Sequence, residues 1–280
     1  MLRVQGCMRV WLLGSGSTGN AAIIEAPVSD GGQGPGARLL IDAGLGPRSC
    51  ATRMRQLGAD LFPAGVVGIV VTHHHGDHIA HLEPLVRALR APVYLHEGIA
   101  AARVRARYLV RPYARRGVFS IGPFHVRAEP IPHDAPQVAL SISARGFRFG
   151  IATDLGHVPA RLVDLLAECD EALVEANHCI ELLQGGPYPP RLKTRVAGDF
   201  GHLSNDQAAG LAERLGQTRL TRLWLGHLSR SNNTPARAID RVRSRARGFD
   251  VEVLEHGVPR LLELQGRSRA MTQLGLRFGS

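Results

Sequence analysis

A chain of 280 residues, 44% hydrophobic and 21% charged, can bury a sizeable core as one large domain or two small ones, which excludes overall disorder. No apolar run approaches the length needed to span a bilayer, so a helical membrane protein is excluded as well. The formal net charge of +10 makes a polyanion such as nucleic acid a natural partner, and four scattered cysteines (Cys7, Cys50, Cys169, Cys179) without CxxC spacing read as reduced, cytoplasmic thiols.

Residues 1–7 read as a flexible leader and Met8–Leu13 as the first strand. Gly14-Ser15-Gly16-Ser17-Thr18-Gly19-Asn20 matches the dinucleotide fingerprint G-x-G-x-x-G. That fingerprint must open a helix, whereas Ala21–Ala26 is a strand-like run, so the glycines read as a tight strand-to-strand connection. Arg38–Asp42 is a strand, Thr52–Leu57 a short helix and Val66–Val71 a β-branched, buried strand that runs into a histidine cluster. His81–Leu89 reads as a helix, Val93–His96 as a strand and Gly98–Leu109 as an arginine-rich helix. Four strand-like pieces follow, Val118–Ile121, His125–Pro130, Ala139–Ala144 and Arg148–Thr153. Then come a helix over Pro159–Glu168, a strand over Glu171–Glu175 and a loop over Gly185–Arg195.

Ser204-x-x-Gln207 is a capping box that opens a helix to about Leu215. Arg222–Leu225 is a strand, Thr234 and Pro235 start a helix, and Val251–Leu254 closes the sheet. Strand-rich stretches with helices interspersed in each half predict two packed sheets with helices outside, one domain over residues 8–262 with a loose tail over 263–280. Arginines cluster at Arg103, Arg105, Arg107, Arg111, Arg115 and Arg116, and at Arg237, Arg241, Arg243, Arg245 and Arg247; they read as polyanion patches or as solvated helix faces. Aromatic residues, at 5%, offer no evident stacking platform.

The chemistry concentrates in Thr72-His73-His74-His75-Gly76-Asp77-His78, immediately after a buried strand. His73 and His75 alternate, so an extended segment points both one way and His74 the other. Asp77 and His78 then face a second nearby point from the turn into a helix. Imidazole with carboxylate suits zinc or manganese and admits iron. One cluster does not complete two metal shells, and the remaining candidates stand at other strand ends: His133 in Ile131-Pro132-His133-Asp134, Asp154 after Phe149–Thr153, and His227 after Leu223-Trp224-Leu225-Gly226. The count suffices for two ions, with Asp154 able to bridge them.

With these residues the chain resembles the metallo-β-lactamase superfamily, whose H-x-H-x-D-H motif is matched by His73, His75, Asp77 and His78. The resemblance implies a single-domain α+β fold, a four-layer αββα sandwich with the site along one edge. It also implies that His73, His75 and His133 hold one metal while Asp77, His78 and His227 hold the other, bridged by Asp154. Gly14–Asn20, Glu175-Ala176-Asn177-His178, the Tyr188–Arg195 segment, Gly201-His202-Leu203-Ser204-Asn205 and His227–Thr234 resemble the YycJ/WalJ subgroup, which implies 5′-to-3′ DNA exonuclease activity. The Glu175 and His202 pair is similar to the proton-donor arrangement of ribonuclease Z. The long inserted domain of the β-CASP nucleases is absent.

The chemistry these residues suit is phosphodiester hydrolysis, with two metal ions activating a water as hydroxide. Asp77 and Asp154 would hold and orient, His202 would protonate the leaving group, and Glu175 would orient His202. Ser204 and Asn205 at a helix start, with Tyr188, Lys193 and Arg195 from the preceding loop, are candidate substrate contacts. The expected partner is nucleic acid, DNA ahead of RNA. The competing reading is a small-molecule hydrolase on the same dinuclear site: a cyclic phosphodiesterase, a thioesterase or a lactonase.

Overall fold

The protein is described here by a computed structural model covering residues 6–28, 35–62, 65–99 and 109–264. β1 (Met8–Gly14), β2 (Ala21–Glu25), β3 (Arg38–Ile41), β4 (Val66–Val70), β5 (Val93–His96) and β6 (Val110–Tyr113) form one sheet. β7 (Gly117–Ile121), β8 (Phe124–Ile131), β9 (Gln137–Ala144), β10 (Phe147–Ala152), β11 (Glu171–Glu175), β12 (Arg222–Gly226) and β13 (Asp250–Val253) form the second. β14 (Arg260–Leu264) returns to the first sheet, beside β1.

Side-chain alternation sorts residues into layers. On β1, Met8, Val10 and Leu12 face the core between the sheets, where Val138, Leu140 and Ile142 of β9 and Trp224 of β12 meet them. The other face of β1, Trp11 and Leu13, packs with Cys50 and Met54 of α1 (Pro47–Gln56). α2 (Gly76–Ile79) is one short turn after β4, and α3 (Leu82–Leu89) adds Leu85 and Val86 to that outer cluster. On the far side, Leu223 and Leu225 meet α4 (Ala160–Ala167), α7 (Asn205–Arg214) and α8 (Pro235–Arg243). Helix, sheet, sheet, helix is the layering expected from the sequence.

The strands that matter for the site are parallel. β3, β4 and β5 run together in the first sheet, and β10, β11 and β12 in the second. Parallel neighbours end on the same edge, so the carboxyl ends of both blocks can be assembled into one place.

Three elements depart from the sequence reading. Gly185–Arg195 is not a loop: α5 (Ile180–Gly185) and α6 (Pro190–Ala197) occupy most of it, because Pro190 sits at the first helical turn, where its missing N–H costs nothing. β6 contains Pro112 and escapes the strand pattern, since proline is tolerated only on an edge strand, which β6 is. β14 carries the first sheet to Leu264, past the domain end expected at 262. The arginine-rich helix expected over Gly98–Leu109 falls mainly on residues 100–108, outside the described residues, and takes Arg103, Arg105 and Arg107 with it. Among the described residues, no helix is long and apolar enough to cross a membrane.

Candidate metal centre

The site is built at strand ends. Asp42 follows β3, His73 to His78 follow β4, Asp154 follows β10, Glu175 ends β11 and His227 follows β12. Asp42, Asp154 and His227 take positive φ angles of 60°, 59° and 51°, the left-handed region that favours glycine. Each turns the chain sharply as it leaves its strand and aims a side chain along the edge. The cost is of order 1–2 kcal/mol each, held in place by packing around them. Gly44 permits the closest approach: a Cβ there would lie 1.7 Å from the Asp77 carbonyl oxygen, so only glycine lets the segment after β3 pass under the histidine turn.

The expected ligands do converge. His73, His75 and His133 form one group and Asp77, His78, Asp154 and His227 a second, the donor atoms of each within 4.8 Å of one another. The Asp154 carboxylate lies 3.2 Å from His78 Nε2 and 3.4 Å from His227 Nε2. His74 belongs to neither group.

Each group is oriented from behind, which leaves one nitrogen of each ring for the site. His78 Nδ1 donates to Asp42 at 2.8 Å, and Asp42 also accepts from the Thr72 amide at 2.8 Å. His133 Nδ1 donates to the Gly201 carbonyl at 3.2 Å. His75 Nε2 stands 3.3 Å from Asp134. Glu175 is fully buried and serves two rings with one oxygen: Oε2 accepts from His227 Nδ1 at 3.0 Å and His202 Nδ1 at 3.1 Å. Its Oε1 accepts the amides of Leu155 and Leu203. The glycine-rich loop is a buttress as well: Ser15 accepts the His227 amide at 2.9 Å, and Asn20 donates to Asp77 at 3.1 Å.

The electrostatics call for cations. Burial alone would lower the His78 imidazole, yet Asp42 and Asp154 outweigh it and push it up to about 10. Burial likewise opposes charge on His227, and Asp154 with its other carboxylate neighbours raises it well above the usual range. Burial would raise Asp154, but His227 and His78 hold it well below. Glu175, against its own burial, is lowered to about 2 chiefly by His202. In the protein alone, protons on His78 and His227 balance these carboxylates. Divalent ions balance the same field, and three buried atoms ask for them: His73 Nε2, Asp154 Oδ2 and His227 Nε2 have no hydrogen-bond partner. Imidazole nitrogens and carboxylate oxygens fit zinc, manganese or iron alike.

His202, from the segment before α7, and Tyr188 and Arg195, from α6 and its approach, line the cleft above these groups, with Asp134 and Asn177. His202 also falls within a third group with Asp154, Glu175 and His227, so its position suits either a proton donor or a ligand. Three expected substrate contacts do not face the cleft. Ser204 is buried and its hydroxyl caps α7, with the Gln207 side chain returning the bond. Asn205 is buried and exchanges amide bonds with Asn233 at 3.0 and 2.8 Å. The capping box therefore occupies the Gln207 and Ser204 amides at the helix start that was expected to receive a phosphate. Lys193 donates to the Gln184 carbonyl at 2.6 Å, tying α6 to α5. His178 is buried away from the cleft, and burial lowers it to about 4. The Cys179 thiol donates to Glu181 at 2.7 Å and joins no metal group.

The second arginine cluster is mostly committed within the fold: Arg241 to Asp206, Arg243 to the Val251 carbonyl at 2.8 Å, Arg245 to Glu213 at 3.6 Å. Of the first, Arg115 pairs with Glu97 and Arg116 with Glu129, while Arg111 stands exposed on β6.

Asp42, Asn20, Ser15 and Asp134 carry no assigned role in the sequence reading. Asp42 had a usable signal, since it ends a strand as Asp154 does. Asp42→Asn, which tolerates the left-handed backbone but places an N–H against the ring, is expected to weaken metal binding by about 10- to 100-fold. Competition with a chelator measures this, and unchanged affinity would remove Asp42 from the centre.

Residues 37–227 match the family described as a beta-lactamase superfamily domain. The exodeoxyribonuclease WalJ of Streptococcus pneumoniae is 31% identical over 231 residues, 79% of this chain and 82% of that protein. The exodeoxyribonuclease YycJ of Bacillus anthracis is 30% identical over 79% of this chain and 83% of its own. In structure the chain is similar to the metallo-beta-lactamase fold protein YhfI from Bacillus subtilis, with a TM-score of 0.67 at 18% identity, over 92% of this chain and 99% of that one.

Proposed function

The chain belongs to the beta-lactamase superfamily, and from that premise we propose that it is a metal-dependent phosphodiester hydrolase, a DNA exonuclease working 5′ to 3′. The observation that carries the reaction type is the His202–Glu175 pair, 3.1 Å apart, beside two cation-binding groups in one cleft. The choice of DNA is supported by the relatives, which are named exodeoxyribonucleases at about 30% identity.

His73, His75 and His133 would hold one ion, and Asp77, His78 and His227 the other, with Asp154 shared. Bound there, divalent ions supply Lewis acidity toward a phosphoryl oxygen and lower the pKa of a water. The remaining work falls to the chain. Glu175 fixes both His202 and His227 through one oxygen, so proton donor and metal ligand are set relative to each other. Burial opposes charge on His202, Glu175 overcomes it, and the ring is held protonated to a higher pH than usual. With Nδ1 on Glu175, Nε2 is the nitrogen that can give its proton to a leaving alkoxide. Arg195 at the cleft lip suits an adjacent phosphate.

The test is a panel of metal-loaded assays on 5′-phosphorylated duplex and single-stranded DNA, RNA and bis(p-nitrophenyl) phosphate. A polyanion held through several phosphates releases counterions. Binding of phosphorothioate-protected DNA is therefore expected to fall by about 10³-fold between 50 and 200 mM salt if six or more phosphates are engaged. A flat salt response, with turnover of bis(p-nitrophenyl) phosphate intact, would favour the small-molecule phosphodiesterase on the same site.

A further inference from the structure

The cleft over the metal groups encloses about 430 Å³, the scale of a small-molecule site rather than of a duplex. Its lining divides by chemistry. His75, Asp77, Asp154, His202 and His227 are polar and belong to the hydrolytic centre. Tyr188, Leu192 and Val196 also line it, and they are of another kind. Breaking a phosphodiester needs charge and a proton; an apolar wall adds nothing to that step.

The wall comes from one element. Leu192 and Val196 are four residues apart on α6 and share a face, and Tyr188 sits on the approach to the helix. Anchoring α6 to the body accounts for Val196, which is buried. It does not account for Leu192 and Tyr188, which keep part of their surface in the cleft. The Tyr188 phenol makes no hydrogen bond among the described residues, so its ring face is what it offers. Arg195, on the same helix, donates to Asp134 at 2.8 Å. Asp134 in turn lies 3.3 Å from His75 and from His133, both in the first metal group. One short helix thus brings a cation beside the metal centre and an aromatic and aliphatic surface next to it. That pairing matches a nucleotide, phosphate with base.

We infer that Tyr188 is the stacking face of a nucleobase subsite, backed by Leu192 and Val196, which holds the base of the nucleotide whose phosphate lies at the metals. The inference rests on the phosphodiesterase reading and adds what flanks the phosphate. A base in this subsite has left its stack and its pair, so the substrate end is single-stranded or frayed when it is cut. Every base has a π face, so the subsite holds any of them, as digestion without regard to sequence requires.

Calorimetric titration of the metal-loaded protein with thymidine 5′-monophosphate and with 2-deoxyribose 5-phosphate, which lacks only the base, tests it. The nucleotide is expected to bind more tightly than the sugar phosphate. Tyr188→Ala should weaken the nucleotide by roughly 5- to 100-fold and leave the sugar phosphate unchanged. Tyr188→Phe should bind both as the parent does, because the ring and not the hydroxyl is used. Equal effects of Tyr188→Ala on both ligands, no effect on either, or failure of the Phe variant would overturn the subsite even if the protein cleaves DNA. Base-dependent binding lost in Tyr188→Ala, in a protein that hydrolyses no phosphodiester, would keep the subsite and remove the hydrolase reading.

Discussion

Asp154→Asn is expected to lose metal and activity together, turnover falling by about 10⁴-fold or more, as when the central member of a catalytic unit is removed. Asp154 reaches toward both His78 and His227, at 3.2 and 3.4 Å, nearer to each than Asp77 does at 3.7 and 3.6 Å, and His73 stands close enough to affect its ionisation. Its Oδ2 is buried with no well-formed hydrogen bond, only the His78 ring at 3.2 Å, so the charge needs a cation beside it, the protonated ring in the protein alone and a metal ion when one is bound. Asparagine is the useful replacement. It tolerates the positive φ of 59°, where alanine would add strain and confuse a metal effect with a folding one. Removing the charge also takes a partner from the protonated His227 and His78, which destabilises the metal-free fold, so unfolding of the metal-free variant is measured beside that of the metal-free parent. Elemental analysis is expected to find close to two transition-metal ions in the parent, by the ligand arithmetic, and fewer in the variant. A variant that kept both ions and full turnover would remove Asp154 from the centre.

What the sequence made legible was what depends on local pattern. The buried run Val66–Val70 leading into His73–His78 announced both a strand and a site at its end, and the alternation of His73 with His75 left His74 outside the metal groups. The capping box at Ser204 located the start of α7 to the residue. The same signal reads less directly as function: the Ser204 oxygen accepts the Gln207 amide and the side chain is buried, so its place in the fold is accounted for by capping. Roles that depend on which strand lies beside which could not be read this way. Asp42 supports His78 across 36 residues, and Ser15 supports His227 across 212. Arg241 looked like part of a polyanion patch until the fold set Asp206 against it. Residue type announced the ligands; only topology shows what holds them.

His202→Ala is expected to keep both metals yet slow cleavage of an alkyl phosphodiester by about 10²–10⁴-fold. The argument turns on the leaving group. A departing alkoxide is strongly basic and needs a proton in the transition state, whereas p-nitrophenolate needs almost none. The same variant should therefore hydrolyse bis(p-nitrophenyl) phosphate with a much smaller defect. Glu175 makes the pair testable from the other side. Its carboxylate raises the His202 pKa against the effect of burial, so the protonated donor persists at higher pH. Cleavage of the alkyl ester should fall as pH rises through that raised value. Glu175→Gln should move the falling limb to lower pH, with metal content checked because Glu175 also holds His227 at 3.0 Å. The structure leaves one rival role for His202, since it lies with Asp154 and His227 in a group able to bind a cation. Metal content separates the two. If His202→Ala loses an ion and the defect is equal for both leaving groups, His202 is a ligand. The leaving-group proton would then have to come from another source.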